Sequence, residues 1–137
     1  MKILLINPYI VSMMPTSLSE PLGLISLATY LDSYFGDAID IQILDLNALG
    51  RGKILKKDSK YIMGMDDQPE IIKRIRAFEP DVIGINCNFT MYSEGAFEVT
   101  ALAKKACPIA LVVMGGAHAS LDAENIMREY PNIDFIV

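Results

Sequence analysis

Five short runs rich in Ile and Val, Ile3 to Ile6, Ile39 to Leu44, Val82 to Ile85, Ile109 to Met114 and Ile133 to Val137, are separated by segments whose apolar residues return every three or four positions. The first pattern is that of strands and the second that of amphipathic helices, so their alternation predicts βαβ units. The runs at Ile3, Val82 and Ile109 are nearly free of polar residues, as befits strands covered on both faces. Ile39-Asp40-Ile41-Gln42-Ile43 alternates instead, which places it at a sheet edge.

Four helices are expected between the strands. The first begins near Pro21, after Ser19-Glu20, and turns Leu24, Leu27, Ala28, Leu31 and Phe35 inward until Gly36 ends it. A second opens at Pro69 and aligns Ile71, Ile72, Ile75 and Phe78 before Pro80. The third runs from Ser93 to Ala106 with Phe97, Ala101 and Leu102 inward, and its last turn holds Lys104-Lys105, where cations suit the helix dipole. The fourth follows Ser120 and presents Leu121, Ile126 and Met127. Right-handed crossovers then give an α/β fold with a flavodoxin-like (Rossmann-like), doubly wound, five-stranded parallel sheet of order 2-1-3-4-5 and helices on both faces.

Ligands of such sheets bind at the carboxyl edge, where the strand order reverses. The loops after the first, third and fourth strands converge there: Asn7 to Ser19, Asn86 to Ser93 and Gly115 to Ser120. The first is long for a βα connection, which suits a lid or lining role. The second, Asn86-Cys87-Asn88-Phe89-Thr90-Met91-Tyr92, mixes amides and a hydroxyl with aromatic rings and a thioether, as suits a ligand with an apolar face and a hydrogen-bonding rim. In the third, Gly115-Gly116 removes side chains at the end of a buried strand. That pair fits either a ligand lying against bare backbone or a plain strand-to-helix turn.

Composition narrows the classes. At 137 residues, 52% of them hydrophobic, one compact domain spanning residues 1–137 is expected. Twelve basic against seventeen acidic residues, net charge -5, argue against a nucleic-acid partner. Cys87 and Cys107 lack metal-site spacing and suit reduced, partly buried thiols of a cytoplasmic protein. The amino-terminal apolar run is too short for a signal core or a membrane span. No Gly-x-Gly-x-x-Gly follows the first strand and no Gly-Lys-Ser/Thr loop exists, which excludes NAD, FAD and P-loop nucleotides. Asn7 and Asn86-Cys87 stand where a phosphoacceptor receiver needs carboxylates, and the single histidine, His118, has no nucleophile paired to it by spacing. The basic segment from Leu49 to Met65, with Arg51, Lys53, Lys56, Lys57 and Lys60, is expected to be a solvated excursion, or else to help dock a second domain.

Asn7-Pro8, the helix opening Pro21-Leu22-Gly23-Leu24-Ile25-Ser26-Leu27-Ala28, the strand Pro80-Asp81-Val82-Ile83-Gly84-Ile85, Gly115-Gly116-Ala117-His118-Ala119-Ser120 and Asn132-Ile133-Asp134-Phe135-Ile136-Val137 occur in order along the whole chain. In that order they resemble the amino-terminal cobalamin (B12)-binding domain of B12-dependent radical SAM enzymes, which include methyltransferases and a cyclase of chlorophyll synthesis. The resemblance implies cobalamin as cofactor and, beyond this domain, a radical SAM domain whose Cys-x-x-x-Cys-x-x-Cys motif holds a 4Fe-4S cluster and cleaves S-adenosylmethionine. By itself the present chain is then not catalytic, and its free surface suits self-association. It also implies a cofactor site at Asn7, Pro8, Asn88, Phe89, Thr90, Tyr92, Gly115, Gly116, Ala117 and His118. The corrin disc would rest on Asn88, Phe89, Thr90 and Tyr92, with the Thr90 hydroxyl beneath it facing a cobalt-bound water, and the nucleotide tail would pass Gly115-Gly116, where a side chain would collide with it. Many B12 domains offer a histidine to cobalt from an Asp-x-His-x-x-Gly loop after the first strand; here that loop is Asn7-Pro8-Tyr9-Ile10-Val11-Ser12, so cobalamin would be held base-off without a protein metal ligand. His118 stays open between a contact to the cofactor and a helix-start histidine bonded to backbone. The rival reading is a flavodoxin-like binding or interaction module that takes a flavin, another small molecule or no cofactor.

Overall fold

The computed structural model describes residues 1–16, 20–50 and 52–137. Ser19, expected ahead of the first helix, and Arg51 of the basic segment lie outside the described residues. Five parallel strands form the main sheet: β1 (Lys2–Asn7), β3 (Asp40–Asp45), β6 (Val82–Asn86), β7 (Leu111–Gly115) and β8 (Phe135–Ile136). Their order is β3-β1-β6-β7-β8, the doubly wound 2-1-3-4-5 arrangement with the alternating strand at the edge. Order reverses between β1 and β6, which pair from Ile3↔Val82 to Ile6↔Ile85.

Alternate residues of each strand enter two cores. Leu4, Ile6, Ile83, Ile85, Val112 and Met114 pack on one face against α3 (Gln68–Phe78) and α4 (Ser93–Ala106), whose Ile71, Ile75, Val99 and Ala103 are fully buried. Each large aliphatic side chain buried this way contributes about 1.5 to 3 kcal/mol. On the other face Ile3 and Leu5 meet Leu24 and Ala28 of α1 (Leu22–Phe35). This second core is small, and the structure corrects two inward positions: Leu27 is 44% and Phe35 47% exposed, because α1 covers only the β1 and β3 half of its face. In α4 the buried stripe is Ala96, Val99, Thr100, Leu102, Ala103 and Ala106, with Phe97 half-buried and Ala101 exposed. Small residues let the helix lie close to the sheet, and they form a weaker periodic signal than bulky ones.

The expected fourth helix is two short ones, α5 (Ala117–Leu121) and α6 (Ala123–Glu129), broken at Asp122. Only Ile126 of its expected face is buried; Leu121 and Met127 are exposed. Ile109 lies ahead of β7 in an exposed turn, and the last strand is shorter than Ile133 to Val137. Between β3 and α3 the chain makes a one-turn helix, α2 (Leu46–Leu49), then the hairpin β4 (Ile54–Lys57) and β5 (Lys60–Met63). Residues 52–59 are exposed, in keeping with a solvated excursion, and within it β5 pairs antiparallel with β4 and with β2 (Ile10–Ser12), which lies inside the long first loop. Lys53, Lys56 and Lys57 are exposed, Lys60 is half-buried and pairs with Glu94, and Met63 and Val11 are buried.

A polar latch closes the far side of the sheet. Asp134 Oδ2 accepts from the Val112 amide at 2.7 Å and from Lys104 Nζ at 2.6 Å, and Lys104 also donates to the Ala110 carbonyl at 2.9 Å. The Lys104 and Val112 hydrogen bonds hold the Asp134 carboxyl below its usual range. A carboxyl with a depressed folded-state pKa stabilises the fold above its unfolded value, and that contribution disappears as pH falls through the folded value. Asp134→Asn is therefore expected to lose about 1.5 to 3 kcal/mol at neutral pH and to flatten the stability profile below about pH 4. Urea denaturation at pH 3 and pH 7 checks this; equal wild-type and variant slopes across that window would remove Asp134 from the acid response.

Candidate binding cleft at the strand-order reversal

A cleft of about 270 Å³ opens at the carboxyl ends of β1 and β6. Its walls are Asn7, Pro8, Tyr9 and Ile10 after β1, Asn86 to Phe89 and Tyr92 after β6, Glu20 to Gly23 at the start of α1, and Asn47. A continuous polar ladder crosses its floor over three adjacent strands. Asn86 Nδ2 donates to Asn7 Oδ1 at 3.3 Å, and Asn7 Nδ2 donates to Asp45 Oδ1 at 2.9 Å. The same Asp45 oxygen caps α2 by accepting from the Asn47 and Ala48 amides at 3.0 and 3.3 Å. Each side chain thus fixes its neighbour's rotamer, which presents polar atoms without the entropic cost of ordering them on binding.

The rim is apolar. Phe89 and Tyr92 meet edge to face, ring centroids 5.7 Å apart, and Phe89 and Met91 are exposed. Beneath them Tyr9 is buried, and its hydroxyl donates to Glu98 of α4. Burial first, and then the Glu98 hydrogen bond and charge, push the Tyr9 phenol well above its ordinary range, so it remains a neutral donor. Cys87 is also buried, and burial pushes its thiol up to about 11. It is an inert part of the wall. Cys107 is partly buried and shifted upward too, chiefly by burial.

The structure divides the expected site residues into two neighbouring groups. Asn7, Pro8, Asn88, Phe89 and Tyr92 line the cleft. Thr90, Gly115, Gly116, Ala117 and His118 lie beside it, outside its lining. Here the loop after β6 is stitched to the loop after β7: the Ala119 amide donates to the Cys87 carbonyl at 3.3 Å and the His118 amide to the Asn88 carbonyl at 3.2 Å. His118 is not bonded to backbone through its ring; Nδ1 pairs with Thr90 Oγ1 at 3.1 Å.

The glycine pair has a packing role within the chain. At Gly116 φ is +118°, and a Cβ would come within 2.6 Å of Asn88 Oδ1 and 2.7 Å of the Cys87 carbonyl oxygen; at Gly115 it would meet Val137 Cγ2 at 3.1 Å. Close approach of the chain to itself, and at Gly116 a left-handed backbone as well, favour glycine at these positions. Asn47 and the opening of α1, Glu20 to Gly23, are lining residues outside the loops expected to converge here. Among the described residues no cluster of three or more His, Cys, Asp or Glu side chains could hold a metal, and no helix is long and apolar enough to cross a membrane.

A family model described as the B12 binding domain matches residues 15–137. Over 119 residues the chain is 30% identical to cytidylyl-2-hydroxyethylphosphonate methyltransferase of Streptomyces wedmorensis, an overlap of 85% of this chain and 21% of that protein. It is 33% identical over 141 aligned positions to an uncharacterized methyltransferase of Pyrococcus horikoshii, covering 100% of this chain and 26% of the relative. The chain therefore spans roughly a fifth to a quarter of the length of these relatives. Among solved structures, an adenylate cyclase from Rhodopirellula baltica superposes with TM-score 0.51 at 15% identity, over 99% of this chain and 73% of the other. The receiver domain of a sensor histidine kinase from Pseudomonas aeruginosa superposes with TM-score 0.51 at 12% identity, over 99% and 82%. At such identities these two likenesses are of fold alone.

Proposed function

The chain belongs to the B12-binding domain family, and from that premise we propose that it is a cobalamin-binding module of a longer radical SAM enzyme, holding the cofactor base-off at the cleft between β1 and β6. The observation behind this reading is the cleft itself: a preorganised amide ladder under an aromatic rim, at the sheet edge where this fold class takes its ligands. Its donor set fits the group. Cobalamin presents carboxamides around an apolar disc and a nucleotide tail, and amide floor and ring-lined rim match both. At about 270 Å³ the cleft admits a tail and not a corrin, so the disc lies over the rim.

Asn7, Pro8 and Asn88 line the path of the tail, and Phe89 and Tyr92 cover the disc edge. Thr90 and His118 pair with one another at the outer rim, where the Thr90 hydroxyl faces the disc and His118 makes a peripheral contact. Gly115, Gly116 and Ala117 shape that rim by letting the two loops meet. The loop after β1 has no histidine, which supports a base-off cofactor without protein nitrogen on cobalt. When bound, cobalamin supplies a cobalt centre suited to methyl transfer. This chain's residues bind it, orient it and shield its lower face.

The methyltransferase names of both relatives, and the small share of their length that this chain spans, support placing it within a larger enzyme. In that enzyme a second domain holds S-adenosylmethionine and a 4Fe-4S cluster, and residues 1–137 form the cobalamin domain. Leu111 on β7, Phe135 on β8 and Val137 just after it, all exposed, give that domain an apolar surface to cover and give the isolated chain a surface for self-association.

Titration of the 137-residue chain with hydroxocobalamin, followed by visible absorption, tests the reading. A saturating shift is expected with a Kd no tighter than micromolar, about -8 kcal/mol, because the chain covers only one side of the disc. A parallel flavin mononucleotide titration is expected to stay flat. No shift with hydroxocobalamin, or saturation by the flavin instead, would replace this reading with that of a different small-molecule module.

A further inference from the structure

Asn47 sits in the wall of the cleft, 5% exposed, and its Oδ1 is the one buried side-chain polar atom among the described residues with no hydrogen-bond partner. An enclosed amide oxygen left unpaired costs free energy, and native folds keep few of them without reason. Local packing does not relieve it: Oδ1 lies against Gly64, where a Cβ would come to 3.0 Å, so this side of the carboxamide faces aliphatic backbone. Its main chain is nonetheless firmly held. The Asn47 amide donates to Asp45 Oδ1, the oxygen that also anchors Asn7, so the residue belongs to the ladder by its backbone while its side chain stays unused.

Resting on the cobalamin reading, we propose that the Asn47 carboxamide is a specificity residue for the nucleotide tail, accepting a hydrogen bond from a ribose hydroxyl once the tail fills the cleft. Rotation about Cβ–Cγ exchanges the positions of Oδ1 and Nδ2, so the oxygen can turn to the cleft without backbone movement while Nδ2 takes its place beside Gly64. In that rotamer the atom facing the cleft is an acceptor and pairs with a donor. A tail phosphate offers none at neutral pH, whereas a ribose hydroxyl does. The corrin's own carboxamides are donors as well, but they stay with the disc above the rim.

Two ligands separate those sources: cobalamin, and dicyanocobinamide, which keeps the corrin amides and lacks the nucleotide. Asn47→Leu is expected to raise the Kd for hydroxocobalamin about tenfold and leave that for dicyanocobinamide unchanged. Because Leu removes a buried unpaired oxygen, the ligand-free variant is expected to melt no lower than wild type, whereas an amide that only supports the fold would melt lower when replaced. Asn47→Asp, which keeps an acceptor, is expected to regain part of the lost affinity. Unchanged hydroxocobalamin affinity in the Leu variant, or equal weakening toward both ligands, would overturn the assignment. A wild-type chain that binds neither ligand would instead sink the cobalamin reading, and this inference with it.

Discussion

Gly116→Val is expected to unfold the carboxyl edge of the sheet, lowering stability by about 3 to 5 kcal/mol. Two costs combine. Valine at φ +118° is strained, and its Cβ would lie 2.7 Å from the Cys87 carbonyl oxygen, an atom that cannot turn aside as a flexible side chain could. To relieve the contact, the loop after β6 must retreat and give up the hydrogen bonds from Ala119 and His118 to Cys87 and Asn88. Against a typical total of about 5 to 15 kcal/mol, such a loss leaves a marginal fold. Chemical denaturation measures it directly. A loss below about 1 kcal/mol would mean that the loop yields freely, and the glycine would then need a reason other than packing.

Gly23→Trp is expected to do the reverse, keeping the fold and blocking the site. Gly23 lies in the first turn of α1 and lines the cleft, and a Cβ there would meet nothing within 4 Å. Replacing glycine within a helix favours folding by up to about 1 kcal/mol, so the melting temperature should hold or rise. The indole would occupy space that the tail requires. Hydroxocobalamin affinity is expected to fall at least about a hundredfold, near 2.7 kcal/mol. Undiminished uptake by a well-folded variant would place the tail elsewhere. Measured together, the two glycine variants separate a residue needed by the fold from one that borders empty space.

The parallel sheet was legible because strands buried on both faces must be apolar throughout, as at Ile3 to Ile6 and Val82 to Ile85, and because the edge strand must alternate. The small sheet was not. Its lysines imply solvent, which is true of Lys56 and Lys57, but the charge of Lys56, Lys57 and Lys60 hides a hairpin whose Asp58 adopts φ +55° and whose Met63 reaches the core. Tyr9 escaped notice for a related reason: in a loop, an aromatic flanked by Asn7-Pro8 has no periodicity to mark it as buried.

For the cleft, the position of the strand-order reversal correctly brought together the loops after β1 and β6. It also suggested the glycine pair as a tail groove, since two adjacent glycines look alike whether a ligand or the chain itself lies against them. The packing of Gly116 against the Cys87 backbone, remote in sequence, could not be read from the pair. Asn47 follows the edge strand, whose loop was not expected to reach the site. Asp45 turns it back there by capping α2.

The most direct test of the account is the Co(II) electron paramagnetic resonance spectrum of cob(II)alamin mixed with the chain at neutral pH. Free cofactor shows nitrogen superhyperfine splitting from its own benzimidazole. Base-off binding predicts that this splitting disappears on binding, that no protein nitrogen replaces it, and that His118→Ala leaves the spectrum unchanged. A spectrum identical to that of the free cofactor at saturating chain, or a nitrogen splitting that His118→Ala abolishes, would contradict it.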